Sequence, residues 1–132
     1  MKKKAIITDK APRPVARYSQ GIKVGNTLYV QGIIALDPRS GKLVAGAIKP
    51  QTERVLKSLK AILEKAGLSL GDVVKVTVFL ADLKDYPAFN ETYGRYFRAE
   101  PPPVRSTVQA RLPLGALVEL DAIAARSGGT AR

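Results

Sequence analysis

Two residues near the end of the chain carry side chains that a sheet core has no use for. They are Arg105 and Glu119, in the stretch PPPVRSTVQARLPLGALVELDAIA, residues 101 to 124. An arginine presents its N–H donors in a planar fork that matches a carboxylate at two points, and a glutamate nearby can orient or deprotonate water. The pair therefore suits a small anionic ligand that is attacked by water. A plainer alternative is a solvated ion-pair ladder on an exposed sheet face, an arrangement of small energetic worth. Leu117 and Ile123, which alternate with the same set as Glu119, weigh against it, because a purely solvated face has no need of them.

What the chain lacks narrows the chemistry further. It has no cysteine and no histidine among its 132 residues. Disulfides, thiolate metal sites, imidazole acid/base work and every Ser-His-Asp arrangement are thereby excluded. The start, MKKKAIITDK, has a basic run but only a short apolar patch, unlike a secretory signal. No stretch approaches the roughly 20 apolar residues that span a bilayer, so the expectation is a soluble, cytoplasmic protein with no membrane partner. The net charge of +11 raises the question of nucleic acid. Its lysines and arginines are scattered, with one dense cluster at Lys2-Lys3-Lys4, and no specific nucleic-acid partner is expected from them.

The elements that must position Arg105 and Glu119 are legible. Residues 21 to 36, GIKVGNTLYVQGIIAL, hold two apolar runs around Gly25-Asn26, a pair suited to a tight hairpin turn with positive φ. Residues 37 to 41 form a loop by their turn chemistry. From 50 to 66, Val55, Leu56, Leu59, Ile62, Leu63 and Ala66 make one apolar helical stripe, with Pro50 in the first turn and Gly67 as C-terminal cap. The run DVVKVTVFLADL alternates as a strand. A second helix opens at Asp85-Tyr-Pro87 and shows an aromatic face of Phe89, Tyr93, Tyr96 and Phe97, read as helix-on-sheet core. Pro101-Pro102-Pro103 then precedes two final strands.

The fold class expected from that order is α+β: a mixed sheet with two helices on one face. One domain is expected over residues 1–126, with 127–132 a frayed tail. On the last strand Val118, Leu120, Ala122 and Ala124 face one way, and Leu117, Glu119, Asp121 and Ile123 the other. On the strand before it Val104, Ser106, Val108 and Ala110 contrast with Arg105, Thr107, Gln109 and Arg111. Pairing of these two strands as a hairpin through LPLGA would put Arg105 and Glu119 on one face.

PVRSTVQARLPLGALVELDAIA resembles the signature end of the Rid/YjgF family of imine deaminases, also labelled endoribonuclease L-PSP. RYSQGIKVGNTLYVQG, LDPRSGKLV and AGLSLGDVVKVTVFLADLKDYPAFNETYGRYF resemble other stretches of that family, in order, across nearly the whole chain. The resemblance implies a homotrimer, a chorismate-mutase-like barrel with ligand clefts between subunits. It implies hydrolysis of 2-imino acids to 2-oxo acids and ammonia, with no cofactor and no metal. Arg105 would bind the substrate carboxylate and Glu119 would orient the attacking water, while Tyr18, Gly32, Ile33, Asn90 and Thr107 would line the cleft. The chain departs from the family at Gln31-Gly32-Ile33, at Thr107, and in having Leu112 one residue closer to Arg105. A bulge at Gln109 to Arg111 is expected to absorb that shortening and leave Arg105 in place. Two other readings stand beside this one: an RNA-binding or ribonuclease-type translation inhibitor, and a trimer that binds ligand without turning it over.

Overall fold

In the computed structural model, which describes residues 2–126, six strands form one mixed sheet. The tail expected to fray, 127–132, lies outside the described residues. The strands are β1 (Lys3–Ile6), β2 (Gly21–Val24), β3 (Thr27–Ile34), β4 (Val73–Leu80), β5 (Val104–Gln109) and β6 (Val118–Ala125), in spatial order β1-β2-β3-β6-β4-β5. Helices α1 (Ile48–Lys65) and α2 (Tyr86–Tyr96) both cover one face. The expected α+β architecture is present. One strand was not expected: the basic start of the chain contributes β1, antiparallel to β2, with exposed Lys3 and Lys4 on the edge. Lysines suit such a position because they discourage further strand pairing.

Local chemistry sets the boundaries. The β2–β3 turn has its positive φ at Gly25 alone (59°), the glycine-first form of a two-residue hairpin. Helix α1 begins two residues earlier than its apolar stripe suggests and ends in a Schellman cap. There Gly67 takes φ 80°, its N–H donates to the Glu64 carbonyl at 3.0 Å, and the Leu68 N–H reaches the Leu63 carbonyl at 2.9 Å. Val55, Leu56, Leu59, Ile62 and Leu63 are fully buried against the sheet, meeting Leu28, Val76, Val78, Leu80, Val118 and Leu120 from below. Each such side chain contributes about 1.5–3 kcal/mol through removal from water.

The last two strands do not form a hairpin. β4 lies between them, parallel to β5 and antiparallel to β6. The reason is the crossover through α2: a strand, a helix and a parallel strand make a βαβ unit, and β6 then returns along the free edge of β4. Alternation on each strand is as the sequence indicates, but the phase between them is opposite. Arg105 stands beside Val76, a core residue facing the helices, whereas Glu119 stands beside Phe79 on the other face. No bulge is needed at Gln109 to Arg111 either. β5 pairs with β4 without a break through Gln109, and the chain then leaves the sheet through a connection in which Leu114 adopts φ 58° and Gly115 φ 72°.

One buried amide fixes the long loop between β1 and β2. Gln20 is completely buried; its Oε1 accepts from the Thr8 N–H at 2.7 Å. Its Nε2 lies 2.9 Å from the Thr8 carbonyl, 3.2 Å from that of Ala11 and 2.9 Å from that of Pro12. Gln20→Leu, which keeps the volume and orphans those groups, should lower stability by about 3 kcal/mol in urea unfolding. Faster amide exchange at Thr8 should accompany it; an unchanged midpoint would show the loop to be held otherwise.

Candidate functional site

The sequence-derived residues separate into two clusters on opposite faces of the sheet. The first is built around Arg105. Its guanidinium sits over the rings of Tyr93 (4.7 Å to the centroid), Tyr86 and Phe89 (5.5 Å each), all presented by α2. Positions 86, 89, 90 and 93 share a helix face by spacing, so the aromatics and Asn90 converge on one point. The Arg105 Nη2 donates to Asn90 Oδ1 at 2.8 Å and to the Tyr86 hydroxyl at 3.1 Å. Ring faces carry negative quadrupole charge and attract the cation, worth about 0.5–2 kcal/mol each way of counting exposure. Among the described residues no carboxylate forms an ion pair with Arg105. The charge is instead aimed into an open cavity of about 450 Å³ lined by Leu83, Tyr86, Arg105 and Thr107. Burial raises the Tyr93 hydroxyl above the usual tyrosine value, while the charge of Arg105 opposes that shift.

The second cluster surrounds Glu119. A cavity of about 660 Å³ brings Glu119 together with Tyr18, Gly32, Gln31 and Tyr29. β3 carries a bulge between Val30 and Ile33, where it spends one more residue than β6 does between Ala122 and Leu120. The extra residue lets Val30 and Ile33 both face the core and leaves Gln31 and Gly32 at the cavity. Glycine at position 32 leaves room for the Glu119 carboxylate where it stands. A Cβ there would strike the Glu119 carboxylate, meeting Oε2 first and Cδ at 3.1 Å. Burial lifts the Glu119 carboxyl above the ordinary glutamate range, and the charge of Asp121, two residues along the same face, adds to the effect. Asp121 is raised as well, by burial, against hydrogen bonding from Thr77 and the charge of Lys75.

Of the residues expected to line a cleft, Asn90 and Thr107 therefore lie with Arg105, and Tyr18 and Gly32 with Glu119. Ile33 has its side chain 1% exposed and packed beside Leu120 on the helix side, and it also borders a smaller cavity of about 320 Å³ that Tyr18, Gln31 and Gly32 line. Arg105 and Glu119 do not share a face within one chain. The sequence reading missed Tyr86 and gave Phe89 and Tyr93 only a packing role. Their signal was present in the spacing 86, 89, 90, 93, which puts one polar amide in the middle of an aromatic stripe. Among the described residues no group of three or more potential metal-binding side chains occurs, and no helix is long and apolar enough to cross a membrane.

The face bearing Glu119 is partly apolar. Tyr29 (51% exposed) and Val108 (45% exposed) lie open on it, with Phe79 and Ile123 half-buried, whereas Leu117, just before β6, packs against the core. An apolar sheet face of this kind is one that an assembly would cover.

The same fold is found in known proteins. The family model described as endoribonuclease L-PSP matches residues 8–126. A RutC family protein of Pyrococcus abyssi is 54% identical over 94% of this chain and 98% of its own. The 2-iminobutanoate/2-iminopropanoate deaminase of Mus musculus is 43% identical over 92% of this chain and 90% of its own. The crystal structure of E. coli TdcF with bound serine superposes with a TM-score of 0.89 at 40% identity, covering 94% of this chain and 99% of that one. The match runs from the loop that carries Tyr18 to the end of β6, and the chain belongs to the endoribonuclease L-PSP family, the group also known as Rid/YjgF.

Proposed function

We propose that this protein hydrolyses 2-imino acids to 2-oxo acids and ammonia, in active sites shared between neighbouring copies of the chain in a homotrimer. The observation that carries the reading is Arg105: a cation oriented by three rings and an amide, without an acidic partner among the described residues, facing an open cavity. Such a fork is complementary to a carboxylate. The relatives named as deaminases of 2-imino acids support the same substrate class. A cytoplasmic location goes with this reading.

The chemistry needs little beyond position. A protonated imine is already electrophilic, so water adds its oxygen to the imine carbon and the C=N π pair moves to nitrogen. Glu119 takes the proton that water gives up and returns it to that nitrogen. The C–N bond of the tetrahedral adduct then breaks, ammonia leaves with the electron pair, and the hydroxyl gives its proton to the freed Glu119 carboxylate as the C=O bond of the 2-oxo acid forms. That proton passes on to the departing ammonia or to solvent. Burial and the neighbouring Asp121 charge make Glu119 a stronger base than an exposed glutamate. Because Arg105 and Glu119 occupy opposite faces of one sheet, the carboxylate site of one subunit must meet the Glu119, Gly32 and Tyr18 cluster of another. Covering the face that bears Tyr29 and Val108 is the gain that drives the copies together. An RNA-directed role rests on the family model's endoribonuclease description and the dispersed +11 charge, and the chain has no histidine pair of the kind many ribonucleases use.

Three outcomes test the reading. Arg105→Ala and Glu119→Gln should each lose most of the deamination of imines generated by an amino-acid oxidase. Co-expressed in equal amounts, the two should regain activity at roughly a quarter of the sites, because mixed trimers pair an intact Arg105 with an intact Glu119. No recovery would place both residues' action within one chain and refute the shared site.

The second is the pH profile of kcat/KM. Activity needs ionised Glu119, so it should fall toward acid with a midpoint above that of an ordinary glutamate. Asp121→Asn removes a like charge, lowers the Glu119 pKa and should move the acid limb to lower pH while leaving turnover at neutrality nearly intact. A limb that stays in place would detach Glu119 from the rate.

The third is Gly32→Ala, which forces the Glu119 carboxylate aside. It should lower kcat about 10- to 100-fold, in the range of a displaced general base, while binding of a 2-oxo acid persists. Parental kcat would show that the carboxylate need not occupy its position beside Gly32.

A further inference from the structure

The cavity beside Arg105 holds one more polar group. Tyr86 begins α2, lines the cavity with Leu83, Arg105 and Thr107, and points its hydroxyl at the arginine. The arginine nitrogen it touches, Nη2, also donates to Asn90, so two acceptors stand against its two hydrogens. A carboxylate can approach a guanidinium at two points side-on, through Nε and Nη2, or end-on, through Nη1 and Nη2. Both modes require a hydrogen of Nη2, so one of the present acceptors has to yield. The Asn90 contact is shorter (2.8 Å) and partly buried, whereas the Tyr86 contact is longer (3.1 Å) and exposed. The phenol is the partner that gives way. Among the described residues its own proton is donated to no acceptor, which leaves it available to a ligand in the cavity.

We propose that Tyr86 is a further substrate-binding residue. Its hydroxyl holds the Arg105 fork in place in the free protein. It then hands the Nη2 hydrogen to the incoming carboxylate and donates its own hydrogen bond to that carboxylate. The inference rests on the 2-imino-acid reading and extends it by one donor. Asn90, one turn further along α2, stays on Arg105 throughout and keeps the guanidinium plane from rotating. The ring of Tyr86 continues to lie against the cation, a contact that a phenylalanine would retain.

The test is a calorimetric titration of the intact, assembled protein with 2-oxobutanoate, a product of the proposed reaction, comparing the parent with Tyr86→Phe and Arg105→Ala. Loss of the hydroxyl alone should weaken binding about tenfold, the scale of one hydrogen bond to a charged group. In deamination assays the loss should appear in KM more than in kcat. Binding by Tyr86→Phe that equals or exceeds the parent's, with Arg105→Ala defective, would overturn the role of Tyr86 and leave the 2-imino-acid reading standing. Undiminished binding by Arg105→Ala would remove the reading itself and Tyr86 with it.

Discussion

Strand parity governs this molecule. A strand shows successive side chains to opposite faces of its sheet, and β4 has to satisfy that rule against a partner on each side. Val76, Val78 and Leu80 send one row under the helices, where Ala122, Leu120 and Val118 of β6 meet them. The same register puts Arg105 and Thr107 of β5 into that row and Glu119 and Asp121 of β6 into the opposite one. A slip of one residue on either side would exchange the faces and expose the core. The positions of Arg105 and Glu119 are thus tied to the hydrophobic register.

Placing an arginine on the helix-covered side would be unfavourable if it were left dry. Here the sheet ends at β5, an edge strand, so the guanidinium emerges at the rim of the core. α2 supplies what the charge needs: aromatic faces below it and an amide oxygen at its side. These aromatics also pack, Phe89 with Tyr93 at 5.5 Å and Tyr93 with Phe97 at 4.4 Å between ring centroids. Packing and charge orientation are done by one stripe, so the cation is held by groups that the core already immobilises.

The opposite face uses a different device. The bulge in β3 keeps Val30 and Ile33 in the core while turning Gly32 toward Glu119, and the missing side chain makes room for the carboxylate. Gln20, buried beneath the loop that bears Tyr18, holds that loop by backbone carbonyls rather than by apolar contact. The half-buried carboxylates Glu119 and Asp121 share a face with exposed apolar residues, and this mixture distinguishes the surface from a simple solvated one.

Periodicity made much of this legible in the sequence. The stripe of Val55 to Leu63, the alternation of β4 and β6, the turn at Gly25 and the cap at Gly67 all follow from local spacing, because the forces that set them act within a few residues. The partner of each strand does not. Whether β6 folds back on β5 or crosses to β4 depends on the α2 crossover, and the alternation of an isolated strand is the same in either case. Only the tertiary structure therefore decided that Arg105 and Glu119 stand on opposite faces, that Ile33 turns into the core, and that Tyr86 meets the arginine. A strand's own sequence fixes which side chains go together; the register with its neighbour fixes which way they go.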